Sequence, residues 1–204
     1  KDQGIYDAMN VAIGEARGDY LIFMNCGDWF YDGNALQAVS DAIDKTPGVL
    51  YYGRIYNRRE HHITDYPREI TRMTCYRTMI CHQAMVFSAA LLKARGYDLS
   101  YRILGDRELF LYLVCEKKVR PVYVDAVLAD YEGGGESTRP EHAARNAADK
   151  RRMLDTYFSK EEQLRYKLRM ALTVPKLRRA IAHNPKLGRF YYGLTRRLYG
   201  LKKK

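Results

Sequence analysis

Residues Met9, Ala12, Ile13 and Ala16 recur at the spacing of one helix face, and Gly18-Asp19 then turns the chain. The unbroken apolar run 20–24 reads as a strand covered on both faces, and it ends in Asn25-Cys26-Gly27-Asp28. Residues 29–33 read as a loop, 34–45 as a helix and 49–55 as a strand. Over 56–77 the periodicity dissolves among charged and aromatic residues, including His61-His62, as in a surface crossover or a short hairpin. Residues 83–87 suit a strand, 91–94 a helical turn, 106–115 a helix with Leu109 and Leu113 inward, and 119–129 an alternating strand. The glycines at 133–135 close this pattern, and the residues after Pro140 read as helical up to Pro175. Alternation of helices and strands without an internal repeat predicts an α/β fold. In open parallel sheets ligands gather at the carboxyl ends of strands. Asp28 lies just past such an end, where a carboxylate can hold a divalent cation whose other ligands are waters and substrate phosphates.

A chain of 204 residues is long enough for one domain with a sizeable core. Its formal net charge of +11 is unevenly placed: residues 1–140 carry 17 basic and 19 acidic side chains, residues 141–204 carry 18 and 5. In the basic part, Phe190, Tyr191, Leu194, Leu198 and Leu201 form an apolar stripe flanked by Arg189, Arg196, Arg197 and Lys202, Lys203 and Lys204. Leu164, Leu168, Ala171 and Leu172 form a second. Such a pattern fits a basic helix lying on an anionic membrane surface; a solvated charged face packed on the main domain is the alternative. The tail lacks the interleaved aromatics of a base-stacking platform, so nucleic acid is not an expected partner. No apolar run approaches the ~20 residues of a membrane-spanning helix. Cys26, Cys75, Cys81 and Cys115 show no C-x-x-C pairing, which argues against a structural zinc site and fits reduced thiols in the cytoplasm.

Four motifs in order carry a family resemblance: Gly4-Ile5-Tyr6-Asp7-Ala8-Met9-Asn10 with its strand and Asp28; Cys81-His82-Gln83-Ala84; Tyr97-Asp98 with Gly105-Asp106-Arg107-Glu108-Leu109; and Gly133-Gly134-Gly135-Glu136-Ser137. Over roughly two thirds of the chain this resembles a family 2 glycosyltransferase. The resemblance implies a GT-A-like, Rossmann-related mixed sheet flanked by helices over 1–138, with a helical basic extension over 139–204. It implies an inverting enzyme that moves a sugar from a UDP- or GDP-sugar to a saccharide or lipid-linked acceptor, as in bacterial surface polysaccharide synthesis. A Mg2+ or Mn2+ cofactor and a cytoplasmic site on the inner membrane face go with it. The strand–helix units that grip the nucleotide in that family precede the Gly4–Asn10 motif, so the sheet is expected to be N-terminally incomplete. The other reading is a truncated, non-catalytic remnant that binds a partner or a membrane.

The same resemblance assigns roles. Asp28 is the metal and donor carboxylate, standing alone because Asn25-Cys26-Gly27-Asp28 replaces an Asp-x-Asp; a turn or cap acid is its plainer explanation. Asp106 is the catalytic base, an N-cap being compatible with that role, and Glu108 is its reserve. Asp7 and Asn10, three residues apart on one helix face, meet the donor, although Asn10-Val11-Ala12-Ile13 lacks the family's usual lysine. His82 and Gln83 fall on the acceptor or diphosphate side, with a structural histidine equally open. Gly134, Gly135 and Ser137 form a loop closing over the diphosphate, or a plain domain-ending turn. The absence of Gln-x-x-Arg-Trp favours single addition over processive synthesis.

Overall fold

The computed structural model of the chain describes residues 4–135 and 139–172. They belong to two compact units that divide between Tyr157 and Phe158. The first unit contains α1 (Ile5–Glu15), β1 (Tyr20–Ile22), β2 (Trp29–Phe30), α2 (Ala35–Lys45), β3 (Leu50–Asn57), β4 (His62–Thr64) and α3 (Arg72–Arg77). After these come β5 (Met85–Ser88), α4 (Ala89–Lys93), α5 (Gly105–Leu111), β6 (Val122–Tyr131) and α6 (Ala143–Tyr157). The described part of the second unit is α7 (Lys160–Leu172), where the ring of Phe158 meets that of Tyr166 edge-on. The sequence stripe at Phe190 to Leu201 lies outside the described residues.

One mixed sheet organises the first unit, in the order β1-β5-β3-β6-β2 with β4 also paired to β3. Only β3 and β6 run parallel; the other pairs are antiparallel. Its centre is β3, whose Leu50, Tyr51 and Tyr52 are all fully buried. Consecutive strand residues face opposite sides, so this run requires cover on both faces, as its unbroken apolar sequence predicts. On one face α2 seats Val39, Ala38, Ala42 and Ile43 against Tyr51, Val86, Val124 and Leu128. Each large apolar side chain so covered contributes about 1.5–3 kcal/mol relative to exposure.

Four elements differ from the sequence expectation, each for a local reason. The first strand stops at Ile22, which pairs with Val86, because the chain opposite Met24 has turned into a short 3-10 turn, His82–Ala84. Trp29 and Phe30, expected in a loop, form β2 because β6 runs on to Tyr131 and offers Asp130 and Ala129 as partners. The aperiodic stretch 56–77 holds both a hairpin and a helix. Glu60 N donates to Asn57 Oδ1 at the β3–β4 turn, and Thr71 and Thr74 cap α3 reciprocally. The helix 106–115 begins at Gly105 and widens over Tyr112–Glu116 into a π turn, where Lys117 N donates to Tyr112 O at 3.0 Å.

The sequence placed α6 with the basic tail, yet it packs against α5 within the first unit. Glu108 of α5, 1% exposed, takes both guanidinium nitrogens of Arg95 at 2.9 and 2.8 Å and the hydroxyl of Tyr157 from α6. The Arg95 guanidinium also lies 4.1 Å from the Tyr112 ring centre. Arg72 of α3 donates to Tyr157 O at 2.7 Å and to Cys115 O at 3.3 Å. These bonds fix the frame on which Asp106 is carried.

Candidate active site

Asp106 stands in the first turn of α5, and three donors from separate elements address it. His82 Nδ1 lies 3.1 Å from Oδ2, the Tyr6 hydroxyl 3.0 Å from Oδ1, and Arg107 N 2.8 Å from the same oxygen. The Tyr6 hydroxyl also reaches Ile103 O at 2.7 Å. Gly105 is what lets Tyr6 approach: a Cβ there would stand 2.8 Å from the Tyr6 ring. The second ring nitrogen of His82 lies 3.0 Å from Asn25 Nδ2. With that amide donating to Nε2, the remaining ring proton sits on Nδ1 and is donated to Asp106.

Asp28 is held from the neighbouring position. Gln83 Nε2 donates to its Oδ2 at 2.6 Å, and Glu132 N, just past β6, donates to Oδ1 at 3.0 Å. The Gln83 carbonyl accepts from the Cys81 thiol, which orients the amide. One short turn therefore bridges the two acids: His82 reaches Asp106 and Gln83 reaches Asp28. Burial pushes the Cys81 thiol up to about 12, with the Asp106 and Asp28 charges adding to the effect. Burial likewise raises the Tyr131 hydroxyl, and the charges of Cys81, Asp28 and Asp106 all add to that shift. Both carboxylates thus act on the same thiol and phenol.

The remaining predicted residues separate into distinct environments. Asn10 is turned to the Tyr97 main chain, donating to its O at 2.9 Å and accepting from its N at 2.7 Å. Glu108, the reserve acid, has both oxygens engaged in the clamp described above. Asp7 lines a cavity of about 470 Å³ with Tyr6, Leu99, Tyr101 and Arg102. Gly134 and Gly135 are exposed next to Glu132, while Ser137 lies outside the described residues.

Several residues to which the motifs assign no role complete the surroundings of the two acids. Tyr6 was predictable as a helix-face partner of Met9 and Ile13, the three being the buried residues of α1. Tyr97 stacks on Tyr6 with ring centres 5.1 Å apart, and Phe23 meets it edge-on at 5.9 Å. Its hydroxyl is buried without a hydrogen-bond partner among the described residues. Burial raises the Tyr97 pKa, and the Asp106 charge adds to the shift. Beside Asp28, Trp29 is 61% exposed, with the Arg58 guanidinium 5.5 Å from its ring centre. Arg58 is itself fixed by Asp130 Oδ1 at 3.0 Å and Gly27 O at 3.1 Å.

Among the described residues no group of three or more His, Cys, Asp or Glu is arranged to hold a metal ion. Each Asp28 oxygen accepts one bond and keeps a lone pair, so the site fits a cation that brings most of its ligands with a phosphorylated substrate. It does not fit an all-protein cage.

A mixed α/β sheet with two carboxylates fixed by one turn suits a GT-A-like transferase, and comparison with known proteins gives the family. The model of glycosyl transferase family 2 matches residues 1–104, and the chain belongs to that family. It is 31% identical over 137 residues to a PGL/p-HBAD biosynthesis glycosyltransferase of Mycobacterium tuberculosis (strain ATCC 25177 / H37Ra), covering 66% of this chain and 53% of that protein. It is 32% identical over 163 residues to an uncharacterized glycosyltransferase of Mycobacterium tuberculosis (strain ATCC 25618 / H37Rv), covering 76% and 60%. The chain thus spans little more than half the length of these curated relatives. Among solved structures, S. aureus TarS 1-349 in complex with UDP shares the fold at a TM-score of 0.55 and 14% identity, over 76% of this chain and 45% of that one. The complex of the same protein with UDP-GlcNAc gives 0.55 at 16% identity, over 79% and 50%.

Proposed function

We propose that this chain carries the catalytic part of an inverting glycosyltransferase that moves a sugar from a nucleoside-diphosphate sugar to a hydroxyl of a saccharide or lipid-linked acceptor. The observation that carries the reading is the turn His82–Ala84, which fixes one carboxylate through His82 and the other through Gln83. Two acids with separate supports suit two tasks. Asp106, oriented by His82 and Tyr6, takes the proton of the acceptor hydroxyl as that oxygen forms its bond to the anomeric carbon. The bond from that carbon to the diphosphate oxygen breaks in the same displacement, its electron pair leaves with the nucleoside diphosphate, and the configuration inverts. Asp28 would hold Mg2+ or Mn2+ together with the diphosphate, and the cation would supply neutralisation of the leaving group's charge. The Tyr97 hydroxyl, without a partner among the described residues and within reach of the Asp106 charge, suits a bond to a sugar hydroxyl. Family membership and a fold shared with a protein solved with UDP and UDP-GlcNAc support a UDP-sugar as the first donor to try.

Release of UDP or GDP from a panel of nucleotide sugars, with candidate acceptors, tests this directly. The expected result is turnover that falls by about 10²–10⁴-fold in Asp106→Asn while donor affinity holds. Unchanged turnover in that variant would remove Asp106 from the role of base.

The membrane partner and the placement on the inner face of the cell membrane are part of the same proposal. In α7 Leu164 and Leu168 are 60% and 57% exposed among Arg165, Lys167 and Arg169, which supports surface attachment. Among the described residues no helix is long and apolar enough to cross a membrane. Sedimentation with anionic vesicles that weakens with salt and is lost without residues 186–204 is expected; equal binding to neutral vesicles would contradict it.

A further inference from the structure

The glycines after β6 meet a cation that the motifs do not name. Gly133 and Gly134 both adopt left-handed backbone, with φ of 81° and 76°. Arg59, from the β3–β4 hairpin, lies across them. A Cβ on Gly133 would stand 2.9 Å from Arg59 Cβ, and one on Gly134 would stand 3.3 Å from the guanidinium carbon, with Nη1 closer still. Side chains at these two positions would displace the arginine and strain the backbone, so the two glycines form its seat.

The position of that seat matters more than its shape. Glu132 N fixes Asp28, and Gly133 and Gly134 are the next two residues, about 3.8 Å apart from Cα to Cα. The seat of the guanidinium is therefore built from the two residues that directly follow the one holding the carboxylate proposed to take the diphosphate. Its neighbour Arg58 is spent on Asp130 and Gly27 O, whereas Arg59 is exposed and makes no hydrogen bond or ion pair among the described residues. The hairpin turn is fixed by Glu60 N on Asn57 Oδ1, and Arg58 N donates to Tyr131 O at 2.8 Å. A planar, permanently charged fork with no hydrogen-bond or ion-pair partner among the described residues, seated on the loop that holds Asp28, has the chemistry of a phosphate ligand.

We propose that Arg59, seated on Gly133 and Gly134, binds the diphosphate of the nucleotide donor and stabilises its charge as it leaves. This rests on the donor reading above and adds a residue to it. The test is calorimetric titration of the full chain with UDP, UMP and uridine in the presence of Mg2+. For the unaltered chain UDP binds more tightly than UMP. Arg59→Ala is expected to weaken UDP by about tenfold or more with little effect on uridine, so the preference for UDP over UMP collapses. Arg59→Lys restores part of it, and Gly134→Ala, which removes the seat, behaves like Arg59→Ala. Circular dichroism and the urea midpoint of Arg59→Ala stay at the wild-type values because the side chain is exposed. Equal UDP affinity in Arg59→Ala and the unaltered chain would overturn the assignment and leave the donor reading standing. Failure of the unaltered chain to bind UDP would instead overturn the donor reading, and this proposal with it.

Discussion

Replacing Asn10 by alanine separates a structural role from a ligand-binding one. The side chain makes two hydrogen bonds to the main chain of Tyr97, at 2.9 and 2.7 Å, and Tyr97 is 4% exposed. Alanine leaves a buried peptide N–H and C=O without those partners, each costing about 1–3 kcal/mol. Alanine's better helix propensity in α1 returns roughly half a kcal/mol. Taking about 1.5 kcal/mol for each group, in the lower half of that range, gives a net loss of about 2.5 kcal/mol. In urea, with a slope of about 2 kcal/mol/M for a domain of this size, the unfolding midpoint should fall by roughly 1–1.5 M with the slope unchanged. Urea titration followed by circular dichroism measures this, and UDP affinity well below the transition should remain close to wild type. A variant that unfolds at the wild-type midpoint but no longer binds UDP would refute the clamp and return Asn10 to the donor side.

Breaking the Glu108 clamp with Glu108→Ala should cost about 3 kcal/mol in the same urea assay, the low end for a buried pair because Arg95 is 25% exposed; a loss under about 0.5 kcal/mol would contradict it. In native protein Cys26 is the exposed thiol, Cys75 and Cys115 are buried, and Cys81 is raised to about 12, so a mildly alkaline thiol titration should show one fast-reacting group and the other three only on unfolding. Burial raises the Asp98 pKa, but bonds from the Ser100 hydroxyl and N–H and the charges of Arg95 and Arg152 outweigh it and leave the carboxyl below its ordinary value. Its contribution to stability is present above the unfolded pKa of about 3.9 and is lost as pH falls through the lower folded value. The acid limb of the stability curve should therefore flatten in Asp98→Asn, and an unchanged limb would count against this sign.

Strands and helices with long apolar periods were legible in the sequence because their burial is written locally: β3, α2 and the end of β6 fall close to where the pattern puts them. Asp28, His82, Gln83 and Asp106 were legible as candidates because they sit at fixed places in short motifs. What those side chains touch was not. Asn10 shares a helix face with Asp7, which says that the two project together and nothing about the Tyr97 main chain, 87 residues away, that takes the amide. Glu108 reads as a second acid in a helix, and only its pairing with Arg95 and with Tyr157, 49 residues on, shows that its oxygens are committed. The seat of Arg59 depends on an arginine in a hairpin meeting two glycines more than 70 residues later, a contact that no periodicity encodes.

The central claim is a donor site in which Asp28 and a divalent cation together take the nucleotide diphosphate. Trp29 follows Asp28 directly and is the chain's only tryptophan, so its fluorescence reports on that site without any label. The decisive measurement is the change in Trp29 emission on titrating UDP with and without Mn2+, in the unaltered chain and in Asp28→Asn. A saturable change that requires Mn2+ and is lost in the variant is expected. The same change without Mn2+, or in Asp28→Asn, would contradict it.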